Sequence, residues 1–333
     1  LLRFDFLVIA YLVSLQLFDS FKLVDLQPLL LTLVVGAAVA LASVVFNSKL
    51  SQWYNISYDT YSRFIAPFSE EVLKILFVVW LIWKNRVGFM VDAAIFGFAI
   101  GAGFAIVENI YYMNVLTDAG LTTWFVRGFG TAVIHGGTTA IAAIISKSLT
   151  DRKEWSFAIL ILPGLLTAAI LHMLYNQFLL PPVTVTLIIL VTLPPVIYAI
   201  FKVSEHQARE WLNSGLEDEV DMLNTIMEGN ITDKRIGKYM QSIRSKFPDY
   251  MMADILGYLR IYLELSVKAK GLLIMKESGI SPPIDDETKA QFKELEFLEE
   301  SIGPSGKLAL QPLLKTSYRD LWQLYALQKE EGI

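Results

Sequence analysis

Seven stretches of this chain stay apolar for about as long as a helix needs to cross a bilayer, ~20 residues. They fall at about 4–18, 28–46, 64–83, 92–113, 127–148, 155–179 and 183–201. Inside hydrocarbon every backbone N–H and C=O must be paired within the protein, so only helices and closed barrels can span it. No stretch alternates polar and apolar residues with period two, and the expectation is therefore seven helices and no barrel. The first run is short and carries Asp5. The seventh contains Pro194-Pro195, expected to kink it, and Pro181-Pro182 is expected to turn the chain between runs six and seven.

The character changes near residue 202. The chain is 54% hydrophobic and 18% charged, skewed from a typical soluble domain, but the skew is uneven. Residues 1–202 hold 12 Lys+Arg and 11 Asp+Glu, whereas 203–333 hold 16 and 22. The expected fold is all-α: a polytopic membrane bundle at 1–202, with its core at 60–180, followed by a soluble helical domain at 203–333. Amphipathic segments are expected near 205–229, 232–246, 249–277, 285–300 and 307–330. Pro248, Ser281-Pro282-Pro283 and Gly303-Pro304 punctuate them. The stretch 281–287 reads as a helix start, with its acidic residues near the positive end of the dipole. This domain carries no catalytic motif and reads as a regulatory or oligomerising module, through which the chain could form a homo-oligomer.

Charge and cysteine content exclude several classes. An acidic tail lacks the basic stripe that a nucleic-acid surface needs. It also argues against a tail lying on anionic lipid, with Lys234, Arg235 and Lys238 as a local basic patch. There is no cysteine, hence no disulfide framework, no thiol nucleophile and no thiolate-bound metal. Any metal falls to His, Asp, Glu or Asn. The chain starts at Leu1, already apolar, and reads as trimmed, with room for a leading segment before it.

Lys and Arg in the short loops set the expected orientation. One set of loops carries Lys22, Lys84, Arg86, Lys147, Arg152, Lys153, Lys202 and Arg209; the other carries Arg3, Lys49, Arg63 and Arg127. This predicts an outside N-terminus and a cytoplasmic C-terminal domain.

Five ionisable residues interrupt the apolar runs: Glu70, Glu71, Glu108, His135 and His172. Each costs on the order of 2.5–3.5 kcal/mol in the membrane on the mildest scale, so such groups face partners or water and mark functional sites. With the topology above, all five sit roughly 7–13 Å below the outer boundary at 1.5 Å per residue. Four helices running alternately up and down deliver them to one depth. Taken singly, each has a plainer reading: a membrane His is commonly a helix–helix hydrogen bond, and a Glu with Lys four residues on, as in Glu70 and Lys74, is commonly an ion pair. The shared depth is what the plainer readings leave unexplained. Glu70 and Glu71 lie about 100° apart on the helix and must differ in role. Gly97, Gly101, Gly103, Gly136 and Gly137 allow close helix approach; GFAIGAG follows no strand and is packing, not a dinucleotide loop. Arg127 and Lys84 read as interface anchors, and His206 as a solvated surface residue.

The motifs are recognisable in order. Glu70-Glu71-Val72-Leu73-Lys74 fits EExxK, Phe104 to Asn109 fits FxxxEN, His135 stands in the next run, and His172-Met173-Leu174-Tyr175-Asn176 fits HxxxN. Over roughly residues 60–180 the chain resembles the PrsW family of intramembrane proteases, and more distantly the CAAX prenyl endopeptidase and bacteriocin-processing superfamily. The resemblance implies hydrolysis of a peptide bond of a membrane-anchored protein, such as an anti-sigma factor or another single-span protein, near the extracytoplasmic face. The implied catalytic positions are Glu70, Glu71, Glu108, His135 and His172, with Lys74, Asn109 and Asn176 in support.

Two chemistries are open. In one, His135, His172 and Glu108 hold Zn2+ and a Glu of the 70–71 pair takes the proton. In the other, Glu70 or Glu71 activates water without a metal, and Asn109 or Asn176 holds the oxyanion. The competing classes are a proton- or cation-coupled transporter, which would spread polar groups through both leaflets, and a scaffold or receptor acting through its cytoplasmic domain.

Overall fold

The computed structural model describes residues 10, 12–15, 24–54, 56–116, 120–151, 157–229, 234–278, 280, 286–314 and 327. Every regular element among them is helical: α1 (Leu26–Tyr54), α2 (Ala66–Trp83), α3 (Met90–Val115), α4 (Ala132–Thr150), α5 (Phe157–Asn176), α6 (Pro182–Met227), α7 (Arg235–Arg244), α8 (Asp249–Glu277) and α9 (Asp286–Leu310). A helical turn, Tyr58–Thr60, and a π turn, Tyr61–Ile65, lead into α2. A short helix, Leu121–Phe125, and a second π turn, Val126–Thr131, lead into α4.

Five helical stretches are long and apolar enough to cross a membrane: Leu26–Tyr54, Met90–Val115, Leu121–Thr150, Ile159–Asn176 and Pro182–Met227. The expected third span coincides with α2, an 18-residue helix, but Glu70, Glu71 and Lys74 dilute its apolar character. Most of the first expected run lies outside the described residues; Leu12 and Leu15 within it are buried. The helix runs on through Pro194-Pro195 without interruption and continues to Met227, so the expected seventh span and the segment near 205–229 form one element.

The chain divides into two units between Glu205 and His206, inside α6. In the first, α3 is the central helix. It is apolar all round and buried along most of its length, as a helix enclosed on every side must be. Its glycines make two seams on opposite faces. On one, Gly103 lies against the Leu33 carbonyl of α1, and Gly36 of α1 lies against the Ile100 carbonyl. On the other, Gly97 faces the backbone of Thr139 and Ala140, and Gly101 faces the carbonyl of His135 on α4. A methyl at Gly97 would stand 2.7 Å from the Thr139 oxygen. Contact at this range needs glycine, since any Cβ would push the helices apart. At the N-terminus of α3, Asp92 accepts from the backbone N–H of Gly88 and Phe89, at 2.9 and 3.1 Å, satisfying donors that the helix start leaves unpaired.

The second unit has its own core. Ile255, Leu259, Leu263 and Leu265 of α8 pack with Leu295, Leu298 and Ile302 of α9. Buried Lys270 pairs with Glu219 at 2.7 Å, and Ser266 donates to the same carboxylate at 2.7 Å. Asp286 and Glu287 open α9, at the helix start expected there. At Gly303 the backbone leaves helical geometry (φ 58°, ψ -170°), so α9 is two helices joined across a kink at the expected Gly303-Pro304 break. Most of the expected 307–330 segment lies outside the described residues.

The seams make a contrast that thermal unfolding of the detergent-solubilised chain can check. G101A is expected to lower Tm by several degrees, reflecting overpacking of about 1–3 kcal/mol. Gly271 of α8 has nothing within 4 Å of an added Cβ, so G271A is expected to hold or raise Tm, as a helical Gly→Ala gains up to ~1 kcal/mol.

Candidate active site

α2 buries Glu71, Lys74, Ile75, Val78 and Ile82 on one face, a helical stripe with a charged head and an apolar tail. Lys74 is 0% exposed and Glu71 1%. Their charged groups meet at 2.6 Å. The ion pair expected between Glu70 and Lys74 is therefore formed by Glu71, three residues away. The turn between positions 70 and 71 aims Glu71 inward, while Glu70 stays partly buried.

Around this pair the other helices converge. On α4, His135, Thr138 and Thr139 share a face and are buried. The hydroxyls of Thr138 and Thr139 reach Glu71 Oε1 and Oε2 at 3.0 and 3.3 Å. His172 of α5 donates from Nδ1 to Glu71 Oε1 at 2.9 Å. An ammonium has donors only, so Lys74 Nζ, 3.0 Å from His135 Nδ1, makes that nitrogen an acceptor. The ring proton then sits on Nε2, which donates to Glu108 Oε2 at 2.8 Å. Glu108 Oε1 lies 3.2 Å from Arg127. The two imidazoles are perpendicular, with centroids 4.7 Å apart.

The result is a continuous chain of groups, Arg127–Glu108–His135–Lys74–Glu71–His172, in which each charge touches an opposite charge or an imidazole. Such pairing is what makes burial of these groups tolerable. The third carboxylate, Glu70, lies partly buried beside this chain of contacts, near both histidines.

Ligand atoms of Glu70, His135 and His172 all lie within 4.8 Å of one another. Two His and one Glu are a ligand set of catalytic zinc sites. Each imidazole also has a carboxylate on one ring nitrogen, Glu71 for His172 and Glu108 for His135, the usual support of metal-binding histidines. The residues fit a divalent metal. The grouping has Glu70 where the sequence reading set Glu108 as third ligand. Both oxygens of Glu108 are engaged, one by His135 and one by Arg127.

The supporting positions separate. Lys74 is at the centre of the cluster. Asn176 donates from Nδ2 to the Ser62 carbonyl at 3.0 Å, tying the end of α5 to the π turn before α2. Asn109 is buried on α3 beside Glu108. His206 is exposed and near Glu210. Sequence reasoning missed four residues. Thr138 and Thr139 follow His135 by one turn, a spacing that could have found them. Arg127, read as an interface anchor, forms an ion pair with Glu108. Asn47 of α1 accepts from Ser69 at 2.7 Å, both buried, and so braces α2 next to Glu70. Its signal was the small-residue face Gly36, Ala40, Ser43 that it extends.

A family model described as PrsW family intramembrane metalloprotease matches residues 25–200, just over half of the 333 residues. The match extends beyond the motif-bearing stretch to take in α1 and the first part of α6. No curated protein and no solved structure matches the chain. The apolar helices and the family match make this a multi-pass membrane protein and an intramembrane peptidase, and the chain belongs to the PrsW family of intramembrane metalloproteases.

Proposed function

We propose that this protein is a zinc-dependent intramembrane endopeptidase that cuts a membrane-anchored, single-span protein near the extracytoplasmic side of the bilayer. The carrying observation is the grouping of Glu70, His135 and His172, with a carboxylate behind each imidazole. In this reading α2 and the segment near 4–18 bring the spans to seven. The N-terminus is outside, the 206–333 unit is cytoplasmic, and an anti-sigma-factor-like protein is the substrate type. Interfacial aromatics support the boundaries. Trp53, Tyr54, Tyr58 and Tyr111 are exposed at the end of the bundle nearer the cluster, and Trp80 and Trp83 at the far end of α2. Lys84 and Arg86 lie over those tryptophans, 4.6 and 5.6 Å from the ring centroids, in keeping with a basic, inward-facing end.

The residues divide the work. His135, His172 and Glu70 would hold the metal, which when bound supplies an activated water and polarises the scissile carbonyl. Glu71 is saturated by Lys74, His172 and the two threonine hydroxyls. It acts as a positioning residue that aims His172 and presents its Nε2 to the reacting centre. Glu108 aims His135 in turn, accepting from its Nε2. Lys74 pairs with Glu71 and has Phe104 under its ammonium at 4.8 Å.

One observation favours a metal-free variant of the same reaction. Lys74 occupies His135 Nδ1 and Glu108 its Nε2, so both ring nitrogens are engaged. In that variant Glu70, the carboxylate least engaged by the cluster, takes the proton of water directly and His172 assists.

E70A, H135A and H172A are each expected to lower cleavage by at least ~100-fold while membrane expression is retained. The check is comparative membrane proteomics against wild type, which also identifies the substrate as truncated single-span proteins. Cleavage retained in all three would remove the assignment. Purified wild type is expected to carry one zinc per chain, with activity lost to chelators and restored by zinc, and H172A to carry none. A metal-free, chelator-indifferent enzyme would leave Glu70 as the base.

A further inference from the structure

Arg127 is the outermost member of the charged chain and belongs to none of the motifs. Its guanidinium lies 3.2 Å from Glu108 Oε1 and 3.5 Å over the centre of the Tyr112 ring. Its side chain is 16% exposed. Among the described residues its Nε and Nη2 are buried with no hydrogen-bond acceptor, so its contact with Glu108 is an ion pair rather than a hydrogen bond. A guanidinium this deep, stacked on an aromatic face and paired with one carboxylate, is held in a single orientation.

The backbone is built to bring it there. Arg127 and His135 are eight residues apart, which in a regular helix leaves them about 80° apart at 100° per residue. The π turn Val126–Thr131 contains Arg127 and takes up one extra residue, so eight positions act as about seven and the two side chains come within about 20°. Arg127 and His135 thus share a face toward α3, where Glu108 bridges them. Without the π turn the guanidinium would rotate away from Glu108.

We propose that Arg127 is a positioning residue for this site: by clamping Glu108, it fixes the ring orientation and tautomer of His135. The proposal rests on the functional reading above and assigns the π turn its purpose.

The chain has three histidines, so the imidazole N–H signals of 15N-histidine-labelled, chelator-treated full-length protein in detergent are readily assigned with H172A and H206A. Wild type is expected to show a slowly exchanging Nε2–H for His135. R127Q is expected to lose it to exchange with water, and R127K, which keeps charge but not the fork, to restore it in part. Zinc affinity, measured by competition with a chromogenic chelator, is expected to fall about 10–100-fold in R127Q, as for lost support of a ligand. R127Q/E108Q is expected to be no weaker than E108Q, because Arg127 acts through Glu108. An unchanged His135 signal and zinc affinity in R127Q, or a double variant additively worse than E108Q, overturns the proposal. Should R127Q not fold, R127K decides alone: a faster-exchanging His135 N–H supports the clamp and an unchanged one overturns it. Wild type that takes up no zinc defeats the metal reading, and the His135 signal still decides the role of Arg127.

Discussion

The ion pair between Glu71 and Lys74 governs the rest of this structure. Both groups are sealed from solvent on α2, in a unit otherwise built of apolar helices. An uncompensated buried charge costs several kcal/mol, and Coulomb attraction repays it only when the remaining donors and acceptors are also satisfied. Glu71 therefore needs more than Lys74. It draws Thr138 and Thr139 from α4 and His172 from α5. Lys74 needs more than Glu71 and takes His135. The demand for partners from several helices sets which faces of α2, α4 and α5 turn inward and at what height they meet.

That demand can be met only if the helices approach closely. The glycine seams on α3 supply the room, with Gly101 against the His135 carbonyl itself and Gly97 one turn away. Packing and chemistry are coupled at this point: the residue that lets α3 touch α4 lies directly behind a proposed metal ligand. The two π turns serve the same end. One leads into the segment bearing Glu70 and Glu71 and offers its Ser62 carbonyl to Asn176; the other leads into the segment bearing His135 and carries Arg127. Wide turns of this kind recur at functional sites because they rotate side chains relative to the helix that follows.

The three carboxylates of the motifs differ in environment, and chemistry follows from that difference. Glu71 is buried and saturated, Glu108 is shared between an imidazole and a guanidinium, and Glu70 is left beside both histidines. In the proposed reading, the carboxylate with open capacity next to two imidazoles takes a metal or a proton, and the other two hold the imidazoles in place. The family match takes in α1 to α5 and the first part of α6 rather than the motifs alone, as expected if the scaffold that holds these groups is inherited with them.

Much of this was legible in the residue order. Apolar runs marked the helices, the charge shift near residue 202 falls close to the division of the chain at Glu205 and His206, and ionisable residues in apolar runs picked out groups that the helices bring together, because burying charge or backbone in lipid is so costly that composition alone exposes it. EExxK, FxxxEN and HxxxN pointed to the family. The sequence could not assign the Lys74 partner, since Glu70 and Glu71 both lie within reach along the helix and only the position of α4 and α5 selects between them. Nor could it find Arg127 or Asn47. Arg127 faces His135 only because of a π turn, an irregularity of one residue that periodicity does not register. Asn47 meets Ser69 across 22 residues of chain. Residue chemistry determined that a polar site had to exist within these helices; helix rotation, a property of packing in three dimensions, decided which carboxylate its neighbours saturate and which one is left open beside the histidines.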